Sequence, residues 1–125
     1  MRIAVISDIH SNLEAMRAVL RDLPPVHRII CAGDLVGLCV KPVKTLQALK
    51  RRRFSSVRGD HDHAVISGDF KSLRSPASEI AEWTRKRLGA KELKTLESLP
   101  MRLELKLNGF KVSVVHGSWK NPLKG

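Results

Sequence analysis

The sequence predicts an α/β fold whose first half forms a parallel β-sheet. Short apolar runs rich in Ile and Val alternate there with segments of helical periodicity. This order produces parallel strands joined by right-handed crossovers. A second observation is the turn signal Asn108-Gly109 behind an alternating apolar segment, which predicts an antiparallel hairpin near the end of the chain. The length of 125 residues fits one domain, residues 1–125.

The first half is predicted to run strand, helix, strand, helix, strand. Its strands are expected at the apolar runs 2–7, 28–32 and 54–57. Ser11 is expected to cap the first helix, with Glu14 completing a capping box, and Pro24-Pro25 ends that helix. Pro42 begins the second helix. Ligands of parallel sheets bind beyond the carboxyl ends of the strands, so a site is expected in the loops there.

The second half is predicted to hold two more helices and the hairpin. Ser75-Pro76 indicates a cap followed by proline at the first helical position, and Gly89 is expected to stop this helix. Residues 90–99 are expected to form a short helix. The return strand of the hairpin, residues 110–115, delivers His116 at its end.

The charge of the chain is strongly positive. Lys and Arg number 23 against 12 acids, a formal charge of +11, and no acid lies between Asp34 and Asp60. Such a field attracts polyanions, nucleic acid included. The alternative is a solvated basic helix face. Aromatic residues are only 4% and tyrosine is absent, which argues against a base-stacking surface and favours the solvated face.

Membrane insertion and secretion find no support in the sequence. No apolar run reaches the length of a membrane span and no signal-peptide pattern is recognisable, so we expect a cytoplasmic protein.

Cys31 and Cys39 lack a zinc-type spacing. Cys31 lies in an apolar run and is expected to be a small core residue; a disulfide between the two is the weaker alternative.

Four polar motifs follow predicted strands and offer carboxylate or imidazole groups. They are Asp8-Ile9-His10, Gly33-Asp34-Leu35-Val36-Gly37, Gly59-Asp60-His61-Asp62 and His116-Gly117. Each alone has an ordinary explanation as a helix cap, a turn, a loop or a structural histidine. Together, each at the end of a strand, they predict a divalent metal centre, for which Mn, Zn, Fe and Ni are all suitable.

In this order the motifs resemble the calcineurin-like metallophosphoesterase family, and most of all its small single-domain archaeal and bacterial phosphodiesterases. The family pattern is Asp-x-His, Gly-Asp-x-x-Gly, Gly-Asn-His-Asp or Glu, a His, and then Gly-His-x-His. The resemblance implies an αββα sandwich of mixed β-sheets flanked by helices. It also implies metal-dependent hydrolysis of a phosphodiester or a phosphomonoester.

The resemblance also implies how the motifs hold two divalent metal ions, with manganese among the candidates. Asp8, His10 and Asp34 would bind one ion. Asp34 would bridge to a second ion that Asp60 and His116 also bind. Two ions about 3.5–4 Å apart clamp the attacking and leaving oxygens of an in-line displacement.

Two further residues receive catalytic roles from the resemblance. A metal-bridging hydroxide would attack phosphorus directly. His61 would stand near the leaving group as general acid or as a donor in the transition state, and Asp62 would orient His61.

The sequence departs from the family pattern at three places. Asp60 stands where the family has Asn, which predicts tighter metal binding and weaker attraction of an anionic phosphate. Ser11 stands where relatives often have Gly. No Gly-His-x-His follows His116, so the fold is expected to be truncated after the His116 strand.

The third departure leaves several interpretations of the function. The chain is an interrupted enzyme, or a partner chain or second copy supplies the missing segment, or the fold serves as a non-catalytic scaffold. A basic nucleic-acid-binding domain is a further alternative. His63 could substitute as a ligand, although an exposed loop histidine is the preferred interpretation.

Overall fold

The first half of the chain folds as predicted into alternating strands and helices. The structure is a computed structural model that describes residues 1–124. The elements of the first half are β1 (Ile3–Ile6), α1 (Leu13–Asp22), β2 (Arg28–Cys31), α2 (Pro42–Lys50) and β3 (Phe54–Ser56). The strands pair in parallel in the order β1-β2-β3. Cys31 pairs with both Ile6 and Ser56, so the three strands end level and their loops leave one edge together.

The second half adds three helices and an antiparallel hairpin. They are α3 (Asp60–Ser67), α4 (Ala77–Arg87), α5 (Ala90–Glu97), β4 (Leu103–Leu107) and β5 (Phe110–Val114). The hairpin turn is as predicted, because Asn108 and Gly109 both adopt positive φ, 49° and 84°. Helix α3 was not among the elements predicted from the sequence. It forms directly after Gly59 because Asp60 and Asp62 place two carboxylates in its first turn, where the helix dipole favours them.

The parallel sheet is covered on both faces, as its apolar strands predict. Side chains alternate along β2, so Ile29 packs into the larger core and Ile30 into a smaller one. The helices supply the larger core. The hairpin supplies the smaller one, in which Val114 contacts the cluster of Ile30 and Val57. The layers are therefore helices, parallel sheet and hairpin, which confirms the mixed α/β architecture.

Two predicted helix starts are displaced. Asn12, not Ser11, caps α1, and its Oδ1 accepts from the amide of Ala15 at 3.1 Å. Ser11 is instead buried with φ at 57°, inside the tight turn that follows β1. Glu14 does not complete a capping box but forms an ion pair with Lys41.

The predicted start of α4 also shifts. The helix begins at Ala77, after Pro76, and the Ser75 hydroxyl donates to the Glu79 carboxylate at 2.9 Å. Helix α4 ends at Arg87 with Leu88 as its C-cap, so Gly89 directly follows its end as predicted, and Gly89 is also the N-cap of α5. Among residues 1–124, no helix has the length and apolar character needed to cross a membrane.

Candidate metal centre

The loops that leave the strands are tied to one another by backbone hydrogen bonds. The amide of Asp8 donates to the carbonyl of Gly33 at 3.0 Å, and the amide of His10 donates to that of Asp34 at 3.0 Å. Asp8, His10 and Asp34 all adopt positive φ, 58°, 50° and 59°. The first two loops therefore turn tightly beside each other, and this brings their side chains to one place.

All five residues predicted as metal ligands meet at this edge. His10 Nε2 lies 3.3 Å from Asp8 Oδ1 and 3.5 Å from Asp34 Oδ2. His116 Nε2 lies 3.4 Å from the same Asp34 oxygen and 3.2 Å from Asp60 Oδ1. Asp34 is buried and stands between the two histidines, as a shared ligand must.

The two histidines are oriented as metal ligands usually are. His10 Nδ1 lies 3.1 Å from the carbonyl oxygen of Val36, and His116 Nδ1 lies 2.8 Å from that of Ala32. A carbonyl can only accept, so in the neutral ring each Nδ1 carries the proton and each Nε2 presents a lone pair to the carboxylates. Such a lone pair and the carboxylate oxygens repel each other unless a cation lies between them. The residues therefore fit a divalent metal ion.

The possible ligand atoms form two overlapping groups, and within each group all of these atoms lie within 4.8 Å of one another. One is Asp8, Asp34 and His116; the other is Asp34, Asp60 and His61. Asp34 belongs to both groups. His61, predicted as an acid, thus also has a ring nitrogen close enough to serve as a ligand.

The charge at the centre is unbalanced within the described residues. Burial, together with the nearby carboxylates of Asp62 and Asp60, raises the pKa of Asp34 to about 9. A bound cation would remove this penalty because it favours the charged carboxylate.

The His61 ring packs closely within the site. It meets the His10 ring edge to face, with 4.8 Å between centroids, and it covers Gly37, where an added Cβ would lie 2.8 Å from His61 Nδ1. That nitrogen is buried and has no hydrogen-bond partner among the described residues. Burial lowers the pKa of His61, so its metal-free imidazole is neutral at neutral pH.

Asp62 has a different set of contacts from the one predicted. Its fully buried carboxylate accepts from the amides of Asp34 at 2.8 Å, Gly59 at 3.0 Å and Val36 at 3.1 Å. Among the described hydrogen bonds, none joins it to the His61 ring. Asp62 therefore fixes the loop after β2 to the start of α3, and it positions Asp34 instead of His61.

The remaining histidines and the cysteines lie outside the centre. His63 belongs to α3, not to a loop, and its Nδ1 lies 3.3 Å from Arg58 Nη1. His27 Nδ1 accepts from the amide of Arg2. Cys31 and Cys39 are both free, and Cys31 is a buried core residue as predicted.

Arg58 has a structural role that its place in the basic segment did not reveal. Its guanidinium donates to the carbonyls of Leu99 at 2.8 Å and Glu97 at 2.9 Å. These bonds join the loop after β3 to the end of α5. No local sequence signal marks such a contact, because its partners are about forty residues away.

The fold and this centre together define a calcineurin-like phosphoesterase domain, and the chain belongs to that superfamily. The sequence profile of the "Calcineurin-like phosphoesterase superfamily domain" matches residues 1–124. An uncharacterised protein of Methanocaldococcus jannaschii is 39% identical over 123 residues, which are 96% of this chain and 51% of that protein.

Two crystal structures share the fold. A metallophosphoesterase from Sphaerobacter thermophilus superposes with a TM-score of 0.79 at 37% identity, over 98% of this chain and 49% of that chain. A hypothetical protein from Pyrococcus horikoshii OT3 superposes with a TM-score of 0.87 at 23% identity, over 99% and 57% of the two chains. The present chain thus spans about half the length of the relatives it matches.

Proposed function

We propose that this chain carries the metal centre of a phosphoesterase that hydrolyses phosphodiesters or phosphomonoesters. One observation carries the proposal. Asp34 lies between the Nε2 atoms of His10 and His116, and a backbone carbonyl holds the Nδ1 atom of each histidine. A structural histidine pair has no need of lone pairs aimed at one buried carboxylate, whereas a metal centre requires them.

Each side chain has a definite task in the proposed reaction. When bound, divalent ions supply an activated water and positive charge for the phosphate oxygens. Asp8, Asp34 and Asp60 would hold these ions with the two histidines. His61 lies beside Asp34 and Asp60, where its ring can donate to a phosphate oxygen or leaving group once protonated. Asp62 keeps Asp34 in place through the main chain.

The test is hydrolysis of bis-p-nitrophenyl phosphate with added manganese. Asp34→Asn is the informative variant, because its amide oxygen can still accept from the His61 amide, which donates to Asp34 Oδ1 at 3.0 Å. Asp22→Asn, at the exposed end of α1, is the matched control. We expect activity in the wild type and the control and at least a hundredfold loss (about 2.7 kcal/mol) in Asp34→Asn.

Calorimetry of manganese binding to the same proteins separates binding from chemistry. Wild-type protein that is folded and binds manganese but hydrolyses neither a diester nor a monoester would contradict the proposal. That result would favour a scaffold role for the same fold.

A second candidate function is binding of a polyanion such as nucleic acid. Lys50, Arg51, Arg52 and Arg53 are all exposed at and just beyond the end of α2, and Lys91 lines a groove together with Lys50 and Arg51. We infer a weak site for phosphate backbones there. RNA or DNA affinity that falls steeply with salt would support it, and no binding at low salt would exclude it.

A further inference from the structure

A cavity of about 480 Å³ opens directly beside the metal centre. Asp8 and His10, two of the proposed ligands, form one edge of it. Its wall continues along the end of β1 and the exposed face of α1, where it includes Ile6, Ala15 and Val19. A group attached to a phosphate at the metal centre can therefore extend into this cavity.

The lining of the cavity is mostly aliphatic. Its apolar members are Ile6, Ile9, Ala15, Met16, Val19 and Leu38. No Lys or Arg is among the residues that line it in the described part of the chain, although the chain has 23 of them. A second phosphate or a carboxylate placed here would find no Lys or Arg side chain among the described lining residues to pair with it.

Two polar groups of the lining, the Ser7 hydroxyl and Asn12 Oδ1, are already engaged. The Ser7 hydroxyl donates to the Asp8 carboxylate, and Asn12 Oδ1 accepts from the amide of Ala15. These groups offer little to the hydroxyls of a sugar. The cavity therefore favours a ligand with apolar surface, because removing that surface from water is favourable.

We propose that the cavity selects phosphate esters whose alcohol part is uncharged and apolar, such as an aryl or branched alkyl group. The inference rests on the proposed function for the position of the phosphate. The size of the cavity suits it, since small-molecule sites commonly enclose about 300–1,000 Å³.

Cys39 provides a reporter for occupancy of the cavity. It lines the cavity and is half-buried, whereas Cys31 is fully buried and its pKa is raised to about 11 by that burial. A thiol reagent should therefore label Cys39 first, and the Cys39→Ser variant identifies the labelled site. The labelling rate of the manganese-loaded protein is measured with 1-naphthylphosphonate and with methylphosphonate, neither of which can be hydrolysed.

We expect naphthylphosphonate to protect Cys39 at concentrations at least about tenfold lower than methylphosphonate. A matched pair of variants on α1 locates the effect. Ala15 lines the cavity and Ala18 does not, although both are exposed. Ala15→Trp should weaken naphthylphosphonate binding about tenfold in calorimetry. Ala18→Trp should leave that binding unchanged.

Equal affinity of the two phosphonates, or equal effects of the two Trp variants, would overturn the inference. The outcomes also separate it from the proposed function. Selective naphthylphosphonate binding without hydrolysis of any ester would leave the cavity assigned and refute the enzyme. Hydrolysis without preference for an apolar ester would support the enzyme and refute the assignment of the cavity.

Discussion

Replacement of Asp62 by alanine tests how the metal centre is held together. The carboxylate is fully buried and accepts three backbone amides, those of Asp34, Val36 and Gly59. In Asp62→Ala these amides lose their partner, and a buried N–H without a partner costs about 1–3 kcal/mol. The low end of that range applies to each of the three amides, because the ionised Asp62 carboxylate is itself costly to bury and alanine removes that cost. We therefore expect the free energy of unfolding to fall by about 3–5 kcal/mol.

Urea unfolding followed by circular dichroism measures this loss in the metal-free protein. Asp62→Asn provides a graded comparison. Its oxygen can keep the amides of Asp34 and Gly59, which share one carboxylate oxygen, but its NH₂ group then faces the amide of Val36. We expect a loss of about 1–3 kcal/mol. The exposed control Asp22→Ala should stay within about 0.5 kcal/mol of the wild type.

A loss below about 1 kcal/mol in Asp62→Ala would refute the reasoning, because it would mean that the amides do not depend on this carboxylate. Equal losses in Asp62→Asn and Asp62→Ala would refute the graded part of it. If Asp62→Ala does not fold, the stability of Asp62→Asn still shows whether the three amides depend on this carboxylate.

Three further predictions concern the centre itself. Because burial and neighbouring carboxylates raise the pKa of Asp34 to about 9, metal binding must displace its proton. Manganese affinity measured by calorimetry should therefore rise with pH up to about 9, by roughly tenfold per unit, and a flat profile would argue against this. Asp60→Asn should bind manganese about tenfold more weakly but attract phosphate better; slower turnover with tighter metal binding would contradict this expectation. Gly59→Ala should cost at least about 2 kcal/mol in unfolding experiments, since a Cβ there would lie 2.0 Å from Asp34 Oδ1; near wild-type stability would show that the loop adapts.

Local signals in the sequence were sufficient for the strands and for the positions of the proposed ligands. The parallel strands are continuous apolar runs, and β4 alternates between apolar and charged residues before an Asn-Gly turn, so each element carries its own pattern. Level strand ends then bring residues distant in sequence together, as at Asp8 and Asp34. This is why residues of different motifs could be expected to lie together without a structure, while their assignment as metal ligands came from the resemblance to the family.

Contacts that depend on the folded loops could not be predicted. Ser11 looks like a helix cap, but the turn after β1 gives it positive φ and leaves Asn12 as the cap. Asp62 looks like a neighbour for His61, but as the third residue of α3 it points back to amides of the loop after β2. In both cases the deciding partner is the loop after β2, and no local pattern identifies it.

Two effects oppose each other at this centre. Backbone bonds such as that from Asp8 to Gly33, together with the Asp62 carboxylate, hold the loops close. The same arrangement forces Asp34 and Asp60 together with Asp62, a cluster of negative charge that folding alone would not favour. This cost is offset chiefly by backbone bonds between the loops and by the contacts of Asp62, and the His61 amide also donates to Asp34 Oδ1. Because these contacts hold the loops close together without a cation, cation binding need not reorder the loops, and this lowers the entropic cost of binding.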